Sequence, residues 1–486
     1  MKKNFLSIVA LFIVLLFSAC TNNDTPKYGD LTLEWDSSLD LTSTQIMMPQ
    51  DSRTFSFKAE NLKGVTWENV PEGWNVAIGE DNSSIVITSP KESTESGKKY
   101  SITIIIEGLN GSVQKQELLF VFLNPSVIAY DNPKGTFVLN EGNMTTENGS
   151  LTYITPEGYV IDDAYKAVNG TELGNVCQDM AFCNGKIYII SQNGDVNPVG
   201  TKFENDGMLV VLDAKTLKKE KTFSKSELSG LDWPTHIAVL DESHVYIRDN
   251  KGVYRFDTNT KELKFIEGSE KAPKSKFVVM DGKVYYYYVK KYLCGLGEIS
   301  SESDEVKGIN FPYRLDIDIN DVLGIQPASD GNVWVMTFGF GKSAIGKFNL
   351  STRKIIQREI SAKANVGASG VAFVAKGNDI YYASGTTVYT LKFDENPELK
   401  AESGLESEKV LCDLNSLDDN AKVLYNGLGV NTATGLLYVN TIKGVGPFYT
   451  TNSIWEFDIN GDWAAPKNKY DNYTNFPAGF FFAGNN

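Results

Sequence analysis

Between residues 29 and 124 apolar and polar positions alternate in short runs separated by turn residues. The clearest runs are 54–59 (TFSFKA), 83–90 (SSIVITSP), 100–108 (YSITIIIEG) and 114–124 (QKQELLFVFLN), with 73–76 (GWNV) as a fifth. A period of two residues is that of a half-buried strand, and no helical period interrupts it. The runs predict a small Ig-like β-sandwich over 29–124, although the Cys-Trp-Cys spacing of antibody domains is absent. Segment 125–134 is then a linker.

From residue 136 the pattern becomes an internal repeat. A turn, a β-branched or leucine position and an aromatic recur, ending at Tyr188, Tyr246, Tyr285, Trp334, Tyr381 and Tyr438. The intervals of about 40–60 residues suit propeller blades of four short strands. A strand, a polar turn and a second strand follow each copy, as in 209–223, 252–266, 344–360, 388–401 and 454–463, more weakly in 295–309. An early copy at 150–165 makes seven outer hairpins against six inner ones. It has a strand before it (136–143) but no innermost strand of its own. Elsewhere that strand is a short apolar run, as in 177–185, 234–242, 275–282 and 369–377. The chain ends on the same build, FPAGFFFAGN at 476–485. A strand buried on both faces reads as a continuous apolar run, and an open ring would expose two sheet edges. The fold predicted is therefore all-β: the sandwich, then a seven-bladed β-propeller over 135–486, closed by pairing of the C-terminal strand with 136–143.

Composition adds bounds. A chain of 486 residues is too long for one ordinary core, and 42% hydrophobic with 22% charged residues is a globular balance. A net charge of -15 with no basic patch argues against nucleic acid. Lys2 and Lys3 precede an apolar run at 5–17, which is short for a bilayer span and suits a signal-peptide core. Phe17-Ser18-Ala19-Cys20 resembles a bacterial lipoprotein box, with Phe17 where a smaller aliphatic residue is usual. That resemblance implies a signal peptide at 1–19, lipidation of Cys20, a tether over 20–28 and an outer-membrane lipoprotein exposed at the cell surface. The other cysteines, Cys177, Cys183, Cys294 and Cys412, form no CxxC pair and read as buried free thiols, with a disulfide among them as the alternative.

Catalytic signals are sparse. The two histidines, His236 and His244, read as structural, and no HExxH, GxSxG, Walker A or strand-to-helix GxGxxG motif is present. SDGNVW (329–334) has the wrong spacing for a sialidase aspartate box, and DIDIND (316–321) lacks the glycine and glutamate of an EF-hand loop. The innermost strands are mostly apolar, with Asp179 and His236 as scattered exceptions that do not make a metal site. A binding protein is expected rather than an enzyme, with no required cofactor; a lactonase or lyase would need acids and amides clustered at the channel mouth. The long loops 191–207 and 440–453 share one face with the aromatic and glycine-rich stretches 231–236, 285–297 and 337–344. Loops on a rigid scaffold carry binding. The candidates there are Trp233, Tyr286, Tyr288, Tyr292, Phe338, Phe340, Phe448 and Tyr449, with packing between blades as the alternative for Tyr286, Tyr288, Phe338 and Phe340.

The stretch 135–158 (GTFVLNEGNMTTENGSLTYITPEG), followed by 173–190 (LGNVCQDMAFCNGKIYII), resembles the seven-bladed, YncE-like propeller lipoproteins of gut Bacteroidetes. The sandwich resembles the Ig-like spacer modules common in lipoproteins of that phylum. The propeller resemblance implies a surface protein that captures a nutrient, a corrinoid such as cobalamin or another metal chelate such as a siderophore complex or haem. It implies delivery of that ligand to a TonB-dependent outer-membrane transporter. The alternative is a surface scaffold or adhesin that grips another protein.

Overall fold

The computed structural model of the protein describes residues 28–80, 82–199, 201, 204–290, 293–313, 315–367 and 369–484. The expected signal peptide (1–19), Cys20 and Tyr292 lie outside the described residues. The described chain is mostly strand and forms two compact units, one built from 28–93 and 98–123, the other from 94–97 and from 124 onward.

Two four-stranded sheets make the first unit. Thr32–Trp35, Ser52–Glu60, Ser84–Thr88 and Asn75–Ile78 lie side by side in one, and Gln45–Met47, Val113–Phe122, Lys98–Gly108 and Leu62–Glu68 in the other. The alternation read in the sequence places Ile102, Ile104 and Ile106 on the inner face, in one core with Phe55, Phe57, Ile85 and Ile87 of the opposite sheet. Phe55 and Phe120 meet edge to face across it, 6.1 Å between centroids. Three strands had no clear signal: Thr32–Trp35, Gln45–Met47 and Leu62–Glu68. All three are edge strands, which have one paired neighbour and a weaker apolar pattern.

The second unit is a ring of seven antiparallel four-stranded sheets. The innermost strands of blades 2 to 7 are Asn175–Cys183, His236–Asp241, Val278–Met280, Asp321–Pro327, Phe373–Lys376 and Val423–Asn431. Blade 1 takes its innermost strand from the end of the chain. Pro477–Phe481 pairs with Thr136–Asn140, in the register Phe480 with Val138 and Phe481 with Phe137. Phe480 and Phe482 fill the seam between blades 1 and 7 with Val138, Ile154, Leu436, Tyr438 and Ile454. Gly429 of blade 7 permits that approach, since a Cβ there would lie 2.4 Å from Phe480 Cβ. The strand thus removes both free edges of the ring, and each buried phenylalanine is worth about 1.5–3 kcal/mol.

Residues ahead of the first propeller strand are also packed. Tyr130 is fully buried, donates its hydroxyl to the Pro125 carbonyl (3.0 Å) and sits edge-on to Tyr153, 4.9 Å between centroids. Segment 329–334 is the hairpin turn of blade 5, closed by Ala328 N–H on the Asn332 carbonyl at 2.9 Å. Each innermost strand begins on the face that carries the loops between blades, here the loop face. It ends on the opposite turn face, where first and second strands join. No helix among the described residues is long and apolar enough to cross a membrane.

Candidate functional site

The apolar runs that form the innermost strands converge on the propeller axis and enclose a cavity of about 740 Å³. Every blade contributes, for example through Phe480, Ala181, Ile237, Val278, Gln326, Val374 and Leu428. Gly377, Thr432 and Gly484 place its rim at the turn face. Towards the loop face the backbones of blades 4 and 6 come together. Gly370 of blade 6, at φ 67°, lies on blade 4 so closely that a Cβ would come within 2.5 Å of Ser275 Cα. Only glycine supplies that left-handed conformation and that clearance together.

That end is polar. Asp179 and His236, in the innermost strands of blades 2 and 3, and Lys276, just ahead of that of blade 4, come together there. Asp179 Oδ2 accepts from the Ile237 N–H (3.2 Å) and faces His236 Nδ1 (3.4 Å). Its Oδ1 accepts from the Met180 N–H (3.0 Å) and lies 3.5 Å from Lys276 Nζ. Burial would raise the Asp179 carboxyl, but the charge of Lys276 and the contact with His236 outweigh it and hold it below the usual carboxylate range. Burial lowers His236 and keeps its ring neutral at pH 7. With Nδ1 donating to Asp179, Nε2 is an acceptor with no hydrogen-bond partner among the described residues. Lys276 Nζ also lies over the Phe481 ring, 3.9 Å from its centroid.

A second polar group lies on the loop-face side of this floor. Glu141 accepts from Asn426 Nδ2 (2.8 Å) and the Tyr425 hydroxyl (3.4 Å), with Gln178 and the charge of Lys274 beside it. Burial pushes the Glu141 carboxyl up to about 7, against the pull of Lys274 and these hydrogen bonds. No group of three or more His, Cys, Asp or Glu side chains able to hold a metal ion occurs among the described residues. The four cysteines at 177, 183, 294 and 412 are free thiols. His244 Nδ1 contacts the Asp241 carboxylate at 2.8 Å in a turn.

None of the seven described aromatic candidates lines the central cavity. Trp233, Phe340 and Phe448 stand exposed on the loop face, Phe340 most of all at 79%. Trp233 and Phe340 hold left-handed backbone (φ 52° and 47°), which fixes them in tight turns. Tyr449 stacks on Phe476 at 4.3 Å and donates its hydroxyl to Glu147 Oε1 at 2.5 Å. Tyr286 is buried between blades 3 and 4, its hydroxyl on the Gly268 carbonyl, and Tyr288 packs beside it with its hydroxyl bonded to Asn310. Phe338 packs against the seam of blades 5 and 6, under Lys363 at 4.2 Å.

The sequence therefore pointed to the loop face, whereas the enclosed space opens on the turn face. Asp179 and His236 were visible as polar exceptions within apolar strands; what the sequence hides is that they touch. Lys276 carried no signal, because a lysine beside a short strand reads as a solvated flank. Phe481 read as a closing residue, yet it also forms part of the cavity wall.

A family model described as a domain of unknown function (DUF5074) matches residues 134–483. No curated protein matches the chain. Among solved structures, a quinoprotein alcohol dehydrogenase-like protein from Bacteroides thetaiotaomicron superposes with a TM-score of 0.51 at 15% identity, over 91% of this chain and 97% of that one. The extracellular domain of a hybrid two-component system from the same organism gives a TM-score of 0.38 at 12% identity, over 63% of this chain and 37% of that one. A protein from Lactobacillus plantarum gives 0.39 at 11% identity, over 72% of this chain and 98% of that one. At these identities the likeness concerns the fold.

Proposed function

The chain belongs to the DUF5074 family through residues 134–483, and from that premise we propose that it is a surface capture protein, not an enzyme, that holds a small-molecule nutrient. The observation that carries this reading is the axial cavity of about 740 Å³, walled by apolar side chains from all seven blades and open at one end. Small-molecule sites are concave, mostly apolar, about 300–1,000 Å³ in volume and carry a few fixed polar groups. Asp179 and Lys276 supply those groups here. The ligand class proposed is a metal chelate, whether corrinoid, haem or siderophore complex, delivered to a TonB-dependent outer-membrane transporter by a protein anchored through Cys20. Apolar burial of the ligand body provides the affinity, and the polar floor orients it. Glu141 lies beside Gln178 and Asn426, an acid with two amides, but it is not among the residues that line the cavity.

Calorimetric titration of the purified protein with cobalamin, cobinamide, haem and a ferric siderophore tests the reading. Saturable binding of at least one, with a dissociation constant of about 1 μM or below, is expected; absence of binding by all four contradicts it. The exposed loop-face aromatics Trp233, Phe340 and Phe448 favour a second reading, a protein-interaction scaffold. In that case a surface partner binds with equal affinity whether or not a small ligand is present.

A further inference from the structure

We infer that the central cavity selects a ligand with an apolar body and one anionic group, a carboxylate or its equivalent, seated against the Lys276 ammonium at the floor. The inference rests on the capture reading and narrows its ligand.

The charge lining the cavity runs against that of the molecule. The chain carries -15, yet the lining contains one acid, Asp179, and two lysines, Lys276 and Lys376. Asp179 is 3% exposed, so its carboxylate is largely out of reach of a ligand. Two backbone N–H groups, the His236 ring and Lys276 surround its carboxylate. Lys276 is in the opposite condition. Its ammonium has three donors. The Asp179 oxygen at 3.5 Å is beyond the 2.7–2.9 Å of a charge-assisted bond, and the Phe481 ring takes only one side of the ammonium. The side chain keeps 20% of its surface and lines the cavity, so a ligand that enters can reach it. An ammonium in an apolar enclosure gains far more from an anion than one in water.

The walls around Lys276 set the rest of the ligand. Phe277, Val278, Val371, Val374, Leu428 and Phe480 offer no hydrogen-bonding side chain, and Gln326, Ser329 and Thr432 add only neutral polar groups, so the body that follows the anionic group is mostly apolar and uncharged. Lys376 stands close to the rim and places a second positive charge on the entry path. A cation would meet both lysines and find the one carboxylate of the lining buried. A neutral body would leave the Lys276 donors unmet, which costs affinity.

The test is a titration of the full chain at pH 7 with three probes of one shape: 1-naphthaleneacetate, 1-naphthaleneacetamide and 1-naphthylethylamine. The acid is expected to bind tightest, by about tenfold or more over the amide, with the amine weakest. Lys276→Met keeps the apolar stem and removes the charge; it is expected to abolish the preference for the acid while amide binding persists. Lys276→Arg, which keeps the charge beside Asp179, retains the preference. Should Lys276→Met not fold, the preference order in the parent and in Lys276→Arg decides. Equal binding of acid and amide, tightest binding of the amine, or a preference surviving in Lys276→Met overturns the charge assignment and leaves the capture reading standing. No binding by any probe overturns it as well, and the metal-chelate titration then reports separately on capture.

Discussion

Glu141 shows how much the surroundings of one side chain decide. It follows the first propeller strand, and in sequence it is one acid among 61 acidic residues. In the fold its carbonyl accepts from Cys177 N–H at 3.2 Å and its carboxyl meets Asn426, Tyr425 and Gln178. Its folded-state pKa of about 7 lies above the ordinary value of 4.5. The folded state therefore holds this proton more tightly than the unfolded chain does. Stability from this group is present at low pH and is lost as pH rises from 4.5 to about 7. Glu141→Gln keeps an acceptor for Asn426 and cannot ionise. Thermal melts are expected to show the variant gaining several degrees on the parent at pH 8 relative to pH 4.5. An offset that is the same at both pH values would mean that Glu141 does not titrate this way. At this scale the sequence revealed residue types and little about their meetings. Asp179 and His236 stood out because they interrupt apolar strands. Their contact joins different blades, and only the ring geometry brings it about.

At the scale of elements much more was readable. The repeat of turn, β-branched position and aromatic marks the second strand of six blades, because that aromatic packs between neighbouring sheets. Tyr188, Tyr246 and Trp334 are all fully buried. The surplus of outer over inner hairpins identified the missing strand, and the phenylalanines at the C-terminus supplied it. Phe480 and Phe482 face the seam of blades 1 and 7, and Phe481 faces the axis under Lys276. Deleting residues 475–486 would expose both seam faces and two strand edges at once. The shortened protein is expected to lose soluble, cooperatively melting propeller, because the lost burial is of the order of total domain stability, about 5–15 kcal/mol. A truncated protein that melts like the parent would show that ring closure contributes little. The edge strands of the sandwich were the elements least visible beforehand, since half-exposed strands of three to seven residues show too few periods of alternation.

For the whole molecule, seven sheets that read as ordinary hairpins one by one produce a feature none of them contains. The axial cavity is a consequence of closure: each innermost strand offers it a few side chains, and blades 2, 3 and 4 bring Asp179, His236 and Lys276 together at one end. Loop length and aromatic content drew attention to the opposite face, where Trp233, Phe340 and Phe448 are exposed. The measurement that separates the two faces most directly uses whichever metal chelate or naphthyl acid binds the parent protein. Val279 lines the cavity near its mouth and is 43% exposed, so Val279→Trp fills the space without disturbing a packed core. Its affinity is to be compared with that of the triple variant Trp233→Ala, Phe340→Ala, Phe448→Ala. The cavity account predicts that Val279→Trp weakens binding by about tenfold or more while the triple variant binds like the parent. Unchanged binding in Val279→Trp together with loss in the triple variant would place the ligand on the loops and contradict it.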